Sequence, residues 1–251
     1  MTNELETLEA INQIGYLLLK HGAEIYRIEE SLNKMCQGAG FQNIHIFAVP
    51  SYFTITLTLK DGTLYTSSRR SHYNRIHLDH LYDLNNLVRN VSNNQLQLSQ
   101  INQEIERIQS SKLNLTYIKI GYVISAAMFC IFFGGGIRET ILSGVIGYIL
   151  YYLIYLLEKL GINSIVRTII SSMVLTTIAI FAYRLQLIFN QHAAIIGSLM
   201  LLVPGLAITN SFRDIINGDF LSGLIRMAEA ILIAASIAIG VGIMMMILGG
   251  A

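Results

Sequence analysis

The last third of this chain holds its chemically capable side chains. Asn210, Arg213, Asp214, Asp219, Arg226 and Glu229 follow a proline-glycine break at Pro204-Gly205, and the flanking segments are strongly apolar. Lipid tolerates ionised groups and freed backbone only where protein or a wet cavity surrounds them. Charges of both signs in such a place can hold a small charged molecule or pass a proton. An ordinary turn between two spans, with its charges anchored at the interface, uses the same residue types. Arg226 and Glu229 are three apart and share a helix face. That spacing suits a proton relay, and it equally suits a static ion pair that orients two helices. Arg213, Asp214 and Asp219 are placed to attract and orient a charged substrate. Pro204 lacks a backbone donor and Gly205 loosens the helix, which frees carbonyls to meet a ligand.

A second charged group lies near the N-terminus, in His21-Gly22-Ala23-Glu24-Ile25-Tyr26-Arg27-Ile28-Glu29. Glu24 and Arg27 can pair across one helical turn, a contact worth about 0.2–0.5 kcal/mol at a surface. His77 and His80 are also three apart, with Asp79 and Asp83 close by. No second matching pair accompanies them, so a solvated helix face is expected there rather than a metal site. Cys36 and Cys130 lack metal-ligand spacing, fall in different halves and read as buried spectators without a disulfide. No HExxH, no Gly-x-Ser-x-Gly elbow and no paired nucleophile is embedded in the apolar segments. Catalytic residues, metal and cofactor are therefore expected to be none.

The elements that must carry these groups come from two unlike halves. Hydrophobic residues make up 53% of the 251 residues and charged residues 13%, with mean hydropathy +0.53. Soluble domains carry about a quarter charged residues, so a membrane is required. Residues 1–115 hold 21 of the 33 Asp, Glu, Lys and Arg. The expected division is a soluble α+β domain over 1–115 and a helical membrane domain over 116–251. Net charge is +1 with no basic block, which excludes a nucleic-acid binder. Met1-Thr2-Asn3-Glu4 has no signal-like pattern, so the first apolar span is expected to do the targeting.

In the soluble part, Leu5, Leu8, Ile11, Ile14 and Leu18 recur at helical spacing up to His21-Gly22. A second helix is expected from Ala23 to about Gln37, stopped by Gly38-Ala39-Gly40. Ile44, Ile46 and Ala48 alternate as a strand closed by Pro50, and 53–59 alternates strictly. Asp61-Gly62 marks a hairpin turn into a returning strand over 64–68. Two further helices are expected over 76–91 and 95–110. Beyond them, about five spans near 20 residues each can be drawn, at 115–133, 140–157, 165–183, 192–208 and 224–248. Lys112, Lys119, Lys159, Arg167, Arg213 and Arg226 fall on one side against Arg138 and Arg184 on the other. That asymmetry puts the soluble domain in the cytoplasm and the C-terminus outside. Frequent small residues, such as Gly134-Gly135-Gly136, Gly147, Ser171-Ser172 and Gly240, allow close helix packing within the chain or against a partner. Tyr148, Tyr151, Tyr152 and Tyr155 read as an aromatic belt.

These residues resemble the threonine/serine exporter family over nearly the whole chain. The likeness rests on Gly22-Ala23-Glu24, Tyr26-Arg27, Glu29 and Pro50, then on Gly134-Gly135-Gly136 and Leu202-Val203-Pro204-Gly205. It continues through Asn210, Arg213-Asp214, Gly218-Asp219, Gly223, Arg226 and Glu229-Ala230. Glu139 stands where some relatives carry Asp. Full-length members look like fusions of two units of about five spans, whereas this chain has one. The resemblance therefore implies the larger subunit of a split form, similar to a succinate-exporting pair, in a bacterial plasma membrane. It implies proton-driven export of a small carboxylate cargo, succinate-like or threonine and serine, with a second small membrane subunit or a homo-oligomer. It also raises Glu24, Arg27 and Glu29 from a surface detail to a candidate motif. For a dicarboxylate, Arg226 is the expected second cation if Glu229 does not neutralise it. A non-transporting regulatory or assembly subunit is the competing reading.

Overall fold

The computed structural model describes residues 2–71, 77–93, 95–111 and 114–248. Among these residues the chain is mostly helical with one three-stranded antiparallel sheet. It divides into two units, Met1–Lys112 with Thr209–Arg226, and Leu113–Ile208 with Met227–Ala251.

In the first unit, α1 (Thr2–Lys20) turns Leu8, Ile11, Ile14 and Leu18 inward, each 1% exposed or less. Leu5 of the same stripe stays 40% exposed in the first turns of the helix. A Cβ on Gly15 would lie 2.7 Å from Leu32 Cδ2 and 3.1 Å from Phe53, so this glycine sets how closely α1 packs. Gly22, at φ +78°, makes the turn into α2 (Ile25–Gly38), a conformation that a Cβ would strain. The sheet β1 (Gln42–Val49), β2 (Tyr52–Thr58) and β3 (Leu64–Arg70) pairs in that order, with Ile46 opposite Ile55 and Ile55 opposite Ser67. Strict alternation in β2 buries Phe53, Ile55 and Leu57 completely, each worth about 1.5–3 kcal/mol against exposure.

Two more helices complete this core. α3 (Leu78–Ser92) buries His80, Leu84, Leu87, Val88 and Val91 along one stripe. α4 (Leu98–Ser110) starts on a reciprocal Gln97–Gln100 capping box and buries Ile101, Ile105 and Ile108. His80 thus departs from the solvated face expected of it. Its Nδ1 lies 3.2 Å from His21 Nε2, and its Nε2 is 2.8 Å from Ser111 Oγ. Its place in the apolar stripe buries it, and two polar partners satisfy the ring. His77 stacks on His80 at 5.1 Å, and His72 lies outside the described residues.

The second unit is built from α5 (Leu115–Phe132), α6 (Ile137–Lys159), α7 (Ser164–Arg184), α8 (Gln191–Leu199) and most of α10 (Phe220–Leu248). Asn114, Asn163 and Asn190 cap α5, α7 and α8 through their side-chain oxygens. Small residues bring these helices together. A Cβ on Gly147 would sit 3.1 Å from Ala126, one on Gly197 2.6 Å from Cys130 Cα, and one on Gly240 2.6 Å from the Ile169 carbonyl. Ile146, Leu150, Leu175, Ala179 and Ala194 form the core between them.

Among the described residues, four helices, α5, α6, α7 and α10, are long and apolar enough to cross a membrane. The remaining expected span is not continuous. α8 stops after nine residues, Met200 to Pro204 form a turn, and α9 (Gly205–Ile216) begins anew. Nine residues rise only about 14 Å, against ~30 Å of hydrocarbon. Pro204 has no N–H to continue the ladder, so the apolar run breaks there.

Candidate functional site

The N-terminal end of α2 meets the α9–α10 hairpin within the first unit. Gly218, at φ +94°, allows the tight turn between the two helices, and Asp219 N–H donates to the Asp214 carbonyl at 2.9 Å. Gly223 then lets α10 lie against α9, because a Cβ there would fall 2.9 Å from the Ser211 carbonyl and meet Ile215. Ser211 Oγ donates to the Gly223 carbonyl at 2.7 Å and locks the pair.

Two ion-pair systems result. Glu24 occupies the N-cap position of α2, where its side chain could cap the first amides, yet it makes no such bond. Its carboxylate instead lies 3.0 Å from Arg27 Nε and accepts from Arg213 Nη1. Arg27 and Arg213 are each about half-exposed, at 54% and 47%, while Glu24 is 11% exposed. The group therefore carries one carboxylate for two guanidiniums. The second system is buried. Arg226 Nε stands 3.1 Å from Asp214 Oδ2, and Arg226 Nη2 donates to the Ala23 carbonyl at 2.8 Å. Asp214 is fully buried, and its desolvation raises the carboxyl above the usual carboxylate range, opposed by Arg226. Arg226 thus pairs twelve residues upstream, and Asp214 neutralises the cation expected to meet a second cargo carboxylate.

Residues 9–248 match the family described as "Putative threonine/serine exporter". This chain belongs to that family. It is also 24% identical over 230 residues to the "Probable succinate transporter subunit YjjP" of Escherichia coli (strain K12), covering 91% of this chain and 90% of that protein. The protein of the same name from Klebsiella aerogenes is 25% identical over 230 residues, covering 91% and 89%. No solved structure matches significantly. Family and apolar helices together make this a membrane transporter of the exporter family.

The remaining candidate residues of this exporter-family chain are distributed as follows. Glu29 Oε1 accepts from the Ala48 N–H at 2.8 Å and ties α2 to β1. Burial raises its carboxyl pKa and the neighbouring Asp219 adds to the rise, against the Ala48 hydrogen bond. Glu29 and Asp219 share a cleft of about 590 Å³ with Tyr26, His45 and Asn217. Asn210 is half-buried on α9. Pro204, Gly205 and Glu229 belong to the second unit, where Gly205 and Glu229 are exposed. The structure thus gathers Glu24, Arg27, Arg213, Asp214 and Arg226, with Glu29 and Asp219 in the cleft nearby.

Sequence reasoning overlooked several contributors. The Ala23 carbonyl acts through backbone geometry that no residue type announces, and the Ser211 hydroxyl through a hairpin partner twelve residues away. Glu139 reads only as a charge after three glycines, yet it is 4% exposed, and its Oε1 accepts from Phe189 N–H at 2.7 Å and Asn190 N–H at 3.0 Å. A lone carboxylate between the glycine cluster and a long apolar run was the available signal.

Proposed function

We propose that this chain is one subunit of a proton-coupled secondary transporter that exports a small carboxylate metabolite, either a succinate-like dicarboxylate or threonine and serine. The observation that carries this reading is the Glu24 group. One carboxylate shared by two half-exposed guanidiniums leaves N–H donors free to turn to an incoming carboxylate. Arg213 is the first contact for the cargo. For a dicarboxylate Arg27 supplies the second cation, because Asp214 already neutralises Arg226. Asp219 or Glu229 would answer an amino acid's ammonium, and Glu229 is the coupling carboxylate. The relatives' names, a succinate transporter subunit in both cases, support a multi-chain assembly. A second small membrane subunit or further copies of this chain complete it.

The soluble domain over 1–115 faces the cytoplasm, the membrane domain covers 116–251 of a plasma-membrane protein, and the C-terminus lies outside. That orientation needs an odd number of crossings. α8 with the turn at 200–204 and the first residues of α9 makes the fifth, as a discontinuous segment like those that hold substrate in other transporters.

Efflux from preloaded cells tests the reading, with succinate, serine and threonine followed in parallel, with and without the small subunit. One cargo should leave faster only when both chains are present. Arg213→Ala and Glu229→Gln should each slow it at least tenfold while still reaching the membrane. If no cargo responds, or both variants export normally, this chain is instead a regulatory or assembly subunit.

A further inference from the structure

We infer that the groove between α2 and α3 is a binding site for a small di-anion, a dicarboxylate or a phosphate, adjoining the Glu24–Arg213 group at Arg27 but centred on Lys34 and Arg89. Two polar stripes at helical spacing face each other across it. α2 presents Arg27, Ser31 and Lys34, at i, i+4 and i+7. α3 presents Asn85, Arg89 and Ser92, at the same spacing. The space between them is about 630 Å³, inside the ~300–1,000 Å³ typical of small-ligand pockets. At one end the helices pinch together, since a Cβ on Gly38 would lie 3.1 Å from the Ser92 carbonyl carbon.

The charge of the lining defines the ligand. Three cations, Arg27, Lys34 and Arg89, face one carboxylate, Glu30, which Lys34 meets at 2.5 Å. Arg89 has no ion-pair partner among the described residues, and Lys34 is 59% exposed. The groove therefore carries an excess of two positive charges. Guanidinium forks and an ammonium are the groups that recognise carboxylate and phosphate oxygens. Ser31 lines the floor, 8% exposed, with no side-chain hydrogen bond among the described residues, and its hydroxyl can donate to a bound oxygen. Asn85 adds an amide donor. Arg27 stands at the groove's edge and also holds Glu24, so a bound anion competes with that carboxylate for one guanidinium.

Isothermal titration of the full-length protein in detergent at low salt, with succinate and with inorganic phosphate as separate ligands, tests this. At least one should bind saturably near one per chain, and which one does so tells the two sources apart. Lys34→Gln with Arg89→Gln should weaken that binding tenfold or more, and each substitution alone about threefold. Arg213→Ala should leave phosphate binding, and the part of any succinate binding that depends on Lys34 and Arg89, unchanged, which separates this site from the proposed transport site. Both single variants alter exposed side chains, so they carry the test if the double variant unfolds. The inference fails if neither anion binds saturably. It also fails if the single variants bind as tightly as the wild type, or if Arg213→Ala alone abolishes binding; that last result would leave the transport reading standing.

Discussion

Removing Arg226 and removing Asp214 should have different consequences, and acid should distinguish them. Both groups are buried and pair at 3.1 Å. Breaking such a pair by deleting one partner costs about 3–5 kcal/mol, because a buried charge is left uncompensated. Arg226→Met leaves Asp214, which escapes by taking a proton. Asp214→Asn leaves Arg226, which cannot lose its charge at any accessible pH. Burial already raises the Asp214 carboxyl, and Arg226 is the main group opposing the rise. Without Arg226 it rises further. A carboxyl whose folded pKa exceeds its unfolded one contributes stability at low pH that is lost as pH climbs through the folded value. The Arg226→Met protein should therefore regain up to about 2.7 kcal/mol on going from pH 7 to pH 5, at about 1.4 kcal/mol per pH unit.

Cys36 provides the assay. Its thiol is fully buried and pushed up to about 12 by burial, so labelling proceeds through opening of the first unit. In a Cys130→Ser background, either single variant should label about 10²–10⁴ times faster than wild type at pH 7, the equivalent of that lost free energy. At pH 5, relative to wild type at the same pH, the excess should shrink by up to about a hundredfold for Arg226→Met and not at all for Asp214→Asn. Arg226→Met with Asp214→Leu, which removes both charges, should label close to wild type. Equal pH responses in the two single variants would refute the reasoning, as would labelling within tenfold of wild type in both.

Three further outcomes are expected. Gly223→Ala should force α10 off α9 and destabilise the first unit by about 1–3 kcal/mol, read as faster Cys36 labelling. His21 is pushed down from 6.5 to about 4, first by burial and then by His80 and His77. The unfolded chain binds that proton first, so stability should fall between pH 6.5 and 4 by at most about 3 kcal/mol, and His21→Gln should flatten that limb of an acid-unfolding curve. Glu139→Ala should orphan the Phe189 and Asn190 amides and cost about 1–3 kcal/mol, seen as labelling of buried Cys130 in a Cys36→Ser background, with Glu139→Gln milder.

The elements that bury one face were legible because periodicity is a local signal. Leu8, Ile11, Ile14 and Leu18 announced α1, and Phe53, Ile55 and Leu57 announced β2. His80 was legible too, since it precedes Leu84, Leu87, Val88 and Val91 in one stripe, but its polarity outweighed its place. Partner choice was not legible. Spacing offers Glu229 to Arg226, whereas the α9–α10 hairpin gives it Asp214, and only the turn at Gly218 with the close approach at Gly223 brings that about. The candidate residues were named from their types, but the bond from Glu24 to Arg213 spans 189 positions, and no window along the chain contains both. The break in the expected fourth span was visible as Pro204. The span expected over 192–208 nonetheless crosses it as one segment, because the residues on both sides are apolar.

The first unit is assembled from Met1–Lys112 and Thr209–Arg226, with about a hundred residues between them. At ~5–20 residues per second, a ribosome needs roughly 5–20 s to make that interval. Throughout it Glu24 waits for Arg213, and the Ala23 carbonyl waits for Arg226. Completion of the N-terminal part is thus postponed until translation has passed most of the hydrophobic segments. A nascent chain that stalls or is cut before Arg226 leaves this part unfinished and open to quality-control proteases.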